Sequence, residues 1–187
     1  MQYIIGQICG IIGTIITIIM PQFKRKNQIT VCGMLVNLMS ALNYWLIGAT
    51  ISAALLCVVA IIQSGVLLVH NKKDTEVSTI ESVLFLFLYL GVGFWGMFTA
   101  EGFVWEISWH NLLELLPIIG AVMFMLSVFS RGEQKTRLFL CFNGAIWAVY
   151  TAIIRATTFF SCFAAMTSSI IALRRNRNDS LTNGREE

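Results

Sequence analysis

The chain has 187 residues, of which 57% are hydrophobic and only 12% are charged, with a formal net charge of +3. A water-soluble domain carries about a quarter of its residues as Asp, Glu, Lys or Arg, so this composition excludes an ordinary soluble fold. The small positive balance gives no reason to expect nucleic acid as a partner, because the cations fall in short loops that sort by membrane side.

A helix crosses the hydrocarbon core of a bilayer with about twenty mainly apolar residues, and seven such runs follow one another. The first, Tyr3 to Pro21, ends in Pro21-Gln22 and the basic cluster Lys24-Arg25-Lys26. The second, Ile29 to Gly48, leads almost at once into the third, Ile51 to Val69, and the polar stretch His70 to Thr79 follows. The fourth is Ile80 to Thr99; the amphipathic Glu101 to His110, with Trp105 and Trp109, reads as an interfacial segment. The fifth is Asn111 to Phe129, the sixth Leu138 to Ile153 and the seventh Ala156 to Leu173, before a hydrophilic tail. The runs lack the alternation of barrel strands and are about twice their length. The expected fold class is therefore all-α, a seven-helix transmembrane protein forming a single integral membrane domain over 1–187.

The residues Met1-Gln2 carry no basic region, so the first run reads as a retained anchor rather than a cleaved leader. Lys and Arg are retained on the cytoplasmic side of short loops. An N-terminus outside and a C-terminus in the cytoplasm places Lys24, Arg25, Lys26, Lys72, Lys73, Arg131, Lys135, Arg137, Arg174, Arg175, Arg177 and Arg185 inside, and leaves Arg155 outside. Cys9, Cys32, Cys57, Cys141 and Cys162 all fall in apolar runs without a CxxC pair, so they read as small packing residues. His70 and His110 sit at opposite faces; no metal and no cofactor is expected.

Set against itself with a shift of 106 positions, MPQFKRKNQIT (Met20 to Thr30) falls on LSVFSRGEQKT (Leu126 to Thr136). Phe23, Arg25, Gln28 and Thr30 meet Phe129, Arg131, Gln134 and Thr136; further on Asn37 meets Asn143 and Tyr44 meets Tyr150. The shift then slips by two, and Gln63-Ser64-Gly65 meets Thr167-Ser168-Ser169. This points to two parallel three-helix repeats, 1–73 and 111–175, with 80–99 as a linker helix and 176–187 as a cytoplasmic tail. Three crossings leave the chain on the far side, so one extra crossing must precede a second parallel copy.

The 3+1+3 pattern, with Pro-Gln closing the first span, resembles the MtN3/SWEET/PQ-loop superfamily. Within it the chain is most similar to YgjV-like bacterial inner membrane proteins, in its length, its seven spans, the run ELLPIIG at Glu114 to Gly120 and the basic end of the seventh span. The resemblance implies a multi-pass protein of the bacterial inner (cytoplasmic) membrane, with two bundles around a pathway for small neutral or zwitterionic solutes. Ser127-Val128 stand where a second Pro-Gln would fall. Sugar-transporting members carry Asn in the third helix of each bundle, where this chain has Gln63 and Thr167, so a sugar is not implied.

Polar side chains inside a bilayer are costly unless they are partnered or line a wet cavity. Asn37, Gln63, Asn143 and Thr167 fall near mid-span and are candidate substrate-binding residues, with Trp147 and Tyr150 on the face of Asn143; hydrogen bonding between helices explains the same carboxamides. Tyr44 and Trp45 read as an interfacial aromatic belt. Pro21 and Pro117 each leave a carbonyl without its helical partner and are candidate hinges. Glu114 is a possible proton site, or simply an acid in a first helical turn. No phosphate loop or paired nucleophile and base is present in the spans, so an enzyme is not expected. The expected partners are the lipid bilayer and a small polar solute, with a homodimer left open. The expected function is alternating-access transport; the alternative is a receptor or scaffold that holds a ligand in the same cavity without passing it.

Overall fold

The computed structural model describes residues 1–20, 23, 26–73, 75, 77–99, 109–129, 133–167 and 170–171. These residues form seven helices: α1 (Gln2–Ile19), α2 (Lys26–Leu46), α3 (Ile51–Lys73), α4 (Thr79–Thr99), α5 (Trp109–Phe129), α6 (Glu133–Ile153) and α7 (159–167). Four stretches, Gln2–Ile19, Asn27–Leu46, Ile51–Lys73 and Thr79–Thr99, are long and apolar enough to cross a membrane. Shorter apolar stretches, Asn111–Ser127 and Leu138–Ile153, lie within α5 and α6. Helices α2 and α6 begin in the basic segments, three and five residues before the apolar runs, because backbone hydrogen bonding does not stop where the hydrocarbon does. Pro21, most of the amphipathic segment and the tail lie outside the described residues.

In lipid, helices meet through small residues and turn large apolar ones outward. α1 follows this rule closely. Gly6, Gly10, Gly13 and Thr17 form its buried stripe, while Ile4, Ile8, Ile11, Ile15 and Ile18 are exposed. At Gly10 a Cβ would stand 2.1 Å from Thr157 Oγ1, so only glycine lets α1 approach the turn before α7. On α4, a Cβ at Gly96 would lie 2.8 Å from Ser52 Cα.

α1 packs on α2, α2 on α3, α3 on α5 and α5 on α6. Gly144 of α6 packs against Cys162 and Met166 of α7, and the start of α7 returns to α1 at Gly10. These contacts close a ring of six helices. α4 packs outside it on α3 and α5. Its first turn is capped by Ser78 and Glu81: Ser78 N donates to Glu81 Oε2 at 2.7 Å and Ile80 N to Ser78 Oγ at 3.2 Å. His70 at the end of α3 lies 3.1 Å from Glu81 Oε1, tying the two helices across a short turn.

Helices α2 and α6 are each 21 residues long. Lys26 and Glu133 at their starts, and Leu46 and Ile153 at their ends, stand 107 positions apart. The turns after them are built alike. Ile47 N, Gly48 N and Ala49 N donate to Asn43 O, Trp45 O and Tyr44 O; Ile154 N, Arg155 N and Ala156 N donate to Tyr150 O, Ala152 O and Thr151 O. Gly48 (φ 69°) and Arg155 (φ 55°) hold the left-handed position that ends each helix. The geometric correspondence is thus at 107, one more than the shift of 106 at which residue identities coincide. It pairs Asn37 with Gly144 and Tyr150 with Asn43, rather than Asn with Asn and Tyr with Tyr.

Candidate functional site

The ring encloses a cavity of about 560 Å³. Its upper end lies under Tyr44 and Trp147, and it runs down to Met20, Thr30, Leu67 and Ala165, near the helix ends that carry the basic segments. Every helix of the ring contributes to its wall, and α4 adds Tyr89. Among the described residues that line it none is charged, and most are apolar.

The polar groups in that wall are mostly engaged by their own helices. Thr17 Oγ1 donates to Gly13 O at 2.9 Å, Ser64 Oγ to Ala60 O at 2.8 Å, Ser127 Oγ to Phe124 O at 2.5 Å and Ser161 Oγ to Thr158 O at 2.7 Å. The hydroxyls therefore face the cavity with lone pairs. Asn37 Nδ2 donates to Gly33 O at 3.0 Å. Asn143 differs: its Oδ1 is buried and reaches no partner. A buried polar atom left in this condition costs roughly 1–3 kcal/mol.

Three rings roof the cavity. Tyr44 stacks on Trp147 at 5.6 Å with 12° between planes, and Tyr150 stands edge-on to both, at 6.0 Å from Tyr44 and 5.7 Å from Trp147. Above them, at the Met1 end, hydrogen bonds between described residues join α1–α3 to α5–α7. Gln7 Nε2 donates to Arg155 O at 3.1 Å, while Gln7 Oε1 and Gln7 O accept from Thr157 N and Thr157 Oγ1, both at 2.9 Å. Thr158 Oγ1 donates to Asn43 Oδ1 at 3.4 Å, and Asn43 Nδ2 to Gly6 O at 2.7 Å within the first three helices. Thr50 Oγ1 lies 2.5 Å from Tyr150 Oη, and Ser52 Oγ donates to Glu114 Oε2.

The candidate residues are distributed unevenly over this site. Asn37, Asn143 and Trp147 line the cavity. Tyr150, fully buried, belongs to the roof. Gln63 is not in the cavity lining; it accepts from Tyr89 Oη of the wall at 2.7 Å, joining α3 to α4, and its Nε2 is buried without a partner. Thr167 Oγ1 turns back to Phe163 O and Ala164 O of its own helix, both at 3.0 Å. Pro117 is fully buried inside a continuous α5, and Pro21 lies outside the described residues. Glu114 is 1% exposed, five residues into α5, so it is no surface acid of a first turn.

One expectation is overturned. Tyr44 is 2% exposed and packs in the roof, whereas Trp45 is 69% exposed and faces outward. Neighbours in a helix point about 100° apart, so depth alone could not assign both to one belt. Gln7, Asn43, Thr50, Ser52, Thr157 and Thr158 escaped the sequence reading. A sequence signal for them existed in Ile47-Gly48-Ala49 and Ile154-Arg155-Ala156, which coincide at 107 and bring Gln7 onto Glu114.

Apolar helices of membrane-spanning length, small-residue helix seams and an internal cavity with an aromatic roof together define a multi-pass helical membrane protein. The chain belongs to the Imp-YgjV family of bacterial inner membrane proteins, whose family model matches residues 4–178. Comparison with curated proteins and with solved structures finds no match.

Proposed function

We propose that the chain is a small-solute transporter that works by alternating access between two three-helix bundles, α1–α3 and α5–α7, with α4 as the linker of a 3+1+3 arrangement like that of the MtN3/SWEET/PQ-loop superfamily. The observation that carries this reading is the one-ended cavity: six helices wall it, it approaches the basic helix ends, and rings and hydrogen bonds between the bundles close the Met1 end. The shared spacing of 107 in helix bounds and turn bonds supports duplication. So does the pattern of contacts among the six ring helices, which maps onto itself when α1, α2 and α3 are exchanged for α5, α6 and α7. With Lys and Arg retained inside, the Met1 end faces outward and the cavity faces the cytoplasm.

An ionised solute entering these walls would lose its hydration without a counter-charge among the described lining residues. The solute class is therefore uncharged, with a largely apolar body. Asn143 and the lone pairs of Asn37 and the wall hydroxyls supply its polar contacts, and the Trp147–Tyr44 stack is the ceiling it meets. One chain provides every wall, so a homodimer is not needed for the pathway. We read the protein as a carrier rather than an enzyme.

The closed Met1 end also favours a second reading, a receptor with a blind pocket. Uptake into proteoliposomes, run against uncharged aromatic solutes, nucleobases, sugars and amino acids, separates the two. Transport predicts saturable flux for an uncharged solute. Saturable binding with no flux for any solute assigns the receptor role.

A further inference from the structure

The spacing of 107, at which the two bundles correspond in helix bounds and turn bonds, sorts the cavity wall into facing pairs. Helices α2 and α6 stand opposite one another in the ring. Four of their corresponding pairs lie in the wall on both sides. Val36 and Asn143 are near in size. The other three pairs set a small residue against a larger one: Gly33 faces Leu140, Asn37 faces Gly144 and Ser40 faces Trp147. Leu140 and Trp147 put the bulk on α6 at two of these levels, so the cavity is hollowed towards α2, above and below Asn37.

Gly33 opens on that hollow. Successive residues of a helix turn by about 100°, so Gly33 and Ser40 point away from Val31, Leu35, Leu38, Leu42 and Trp45, the exposed side of α2 that faces lipid. A Cβ built on Gly33 would meet nothing within 4 Å, whereas one on Gly144 would stand 3.1 Å from Met166 Cβ and 3.3 Å from Cys162 O. The two glycines therefore do different work: Gly144 lets α6 approach α7, and Gly33 leaves room in the wall. Glycine inside a helix costs stability relative to alanine, and no neighbouring atom requires it at position 33. Asn37 lies one turn further on, and its Nδ2 donates to Gly33 O at 3.0 Å. Turning the carboxamide over would set two oxygens against each other, so Oδ1 is the atom left over, and it can only accept. Ser40 adds a hydroxyl that serves as donor or acceptor. On the α6 side, Asn143 Oδ1 is a second acceptor that no donor reaches.

We propose that the solute seats against α2, in the niche that Gly33 and Ser40 leave on either side of Asn37, and donates an N–H or O–H to Asn37 Oδ1. Gly33 is a specificity-determining residue, since the side chain it lacks decides how large a ring lies there. Leu140 and Trp147 form the opposite wall, so the ring is held between bare helix backbone and their apolar faces. The class is an uncharged, flat molecule with an apolar body and a donor group, of which a heteroaromatic N–H is the simplest member. The proposal rests on the reading of the cavity as the solute site and names the chemistry that the site accepts.

Binding to the full chain in lipid nanodiscs, measured by equilibrium dialysis against empty nanodiscs, tests this with indole, 3-methylindole, 1-methylindole and carbazole. The two methylindoles are isomers of equal size, and only 3-methylindole keeps the N–H. Wild type should bind 3-methylindole severalfold more tightly than 1-methylindole. Gly33→Leu should weaken 3-methylindole severalfold and carbazole further, while unfolding on heating no earlier than wild type. Asn37→Leu should erase the preference between the isomers. Gly33→Leu combined with Leu140→Gly moves the room across to α6, away from Asn37, and should bind without that preference. A readout that needs no solute is the reactivity of Gly33→Cys in a chain freed of its own cysteines. A membrane-impermeant thiol reagent added from the basic face should modify it and should spare Leu35→Cys on the lipid side. A wild type that binds none of the probes or treats the isomers alike, a Gly33→Leu variant that binds them as wild type does, or an inert Gly33→Cys would overturn the niche. Saturable flux of a sugar or an amino acid by a chain that binds no probe sinks the niche and leaves the transporter standing. Binding that follows the N–H and residue 33, with no flux for any solute, upholds the niche and moves the function to a receptor.

Discussion

Asn37 and Asn143 look like twins in the sequence and behave differently in the fold. Asn37 is tied to Gly33 O of its own helix, and Asn143 Oδ1 is buried unpaired in the cavity wall. Replacing a side chain whose buried oxygen is unpaired by an apolar one of similar size removes a cost of about 1–3 kcal/mol. We expect Asn143→Leu to unfold no earlier than wild type on heating in detergent while solute binding falls at least severalfold, and Asn37→Leu to lose up to about 1 kcal/mol of stability. A marked loss of stability in Asn143→Leu with binding intact would place that side chain in the packing and not at the solute. The sequence revealed that both amides lie near mid-span, because polarity in an apolar run is conspicuous. It did not reveal which one is engaged, since a hydrogen bond back to a carbonyl one turn earlier leaves no trace in residue identities.

At the scale of the helix, the order of the seven runs was legible because the bilayer imposes it, and the observed bounds of the first six differ mainly where α2, α3 and α6 extend into polar segments. The register between halves was less legible. Residue identities favoured a shift of 106, while helix ends and turn bonds correspond at 107, and one residue rotates a helix face by about 100°. The seams obey a rule the sequence displays only indirectly: glycine stands where backbones must meet. Gly10→Ala should lower stability by about 1–3 kcal/mol through overpacking against Thr157. Gly91→Ala, with nothing within 4 Å of the added carbon, should be neutral or gain up to about 1 kcal/mol from helix propensity. Thermal unfolding of the two variants side by side checks the pair, and equal effects would remove close approach as the reason for Gly10.

Across the described residues of the whole molecule, closure is concentrated at one end. The roof rings and the bonds of Gln7, Asn43, Thr50 and Glu114 lie toward the Met1 end, and the cavity occupies the middle and the basic end. Cys162 lines that cavity. In a chain retaining Cys162 alone, a membrane-impermeant thiol reagent should therefore modify it when added from the basic face and not when added from the Met1 face, and a bound solute should slow the reaction. Peptide mass spectrometry after labelling of vesicles of either orientation gives the answer. Equal reaction from both faces would contradict a sealed roof.

The position of α4 outside the ring has a consequence for what such a molecule can become. A cavity assembled from two copies of one bundle must carry the same residue at both equivalent places, so any change on one side is forced on the other. A helix that carries the chain back across the bilayer lets both bundles be written into one chain, and each can then vary alone. That freedom is what permits glutamine, Gln7, at one seam and glutamic acid, Glu114, at its counterpart.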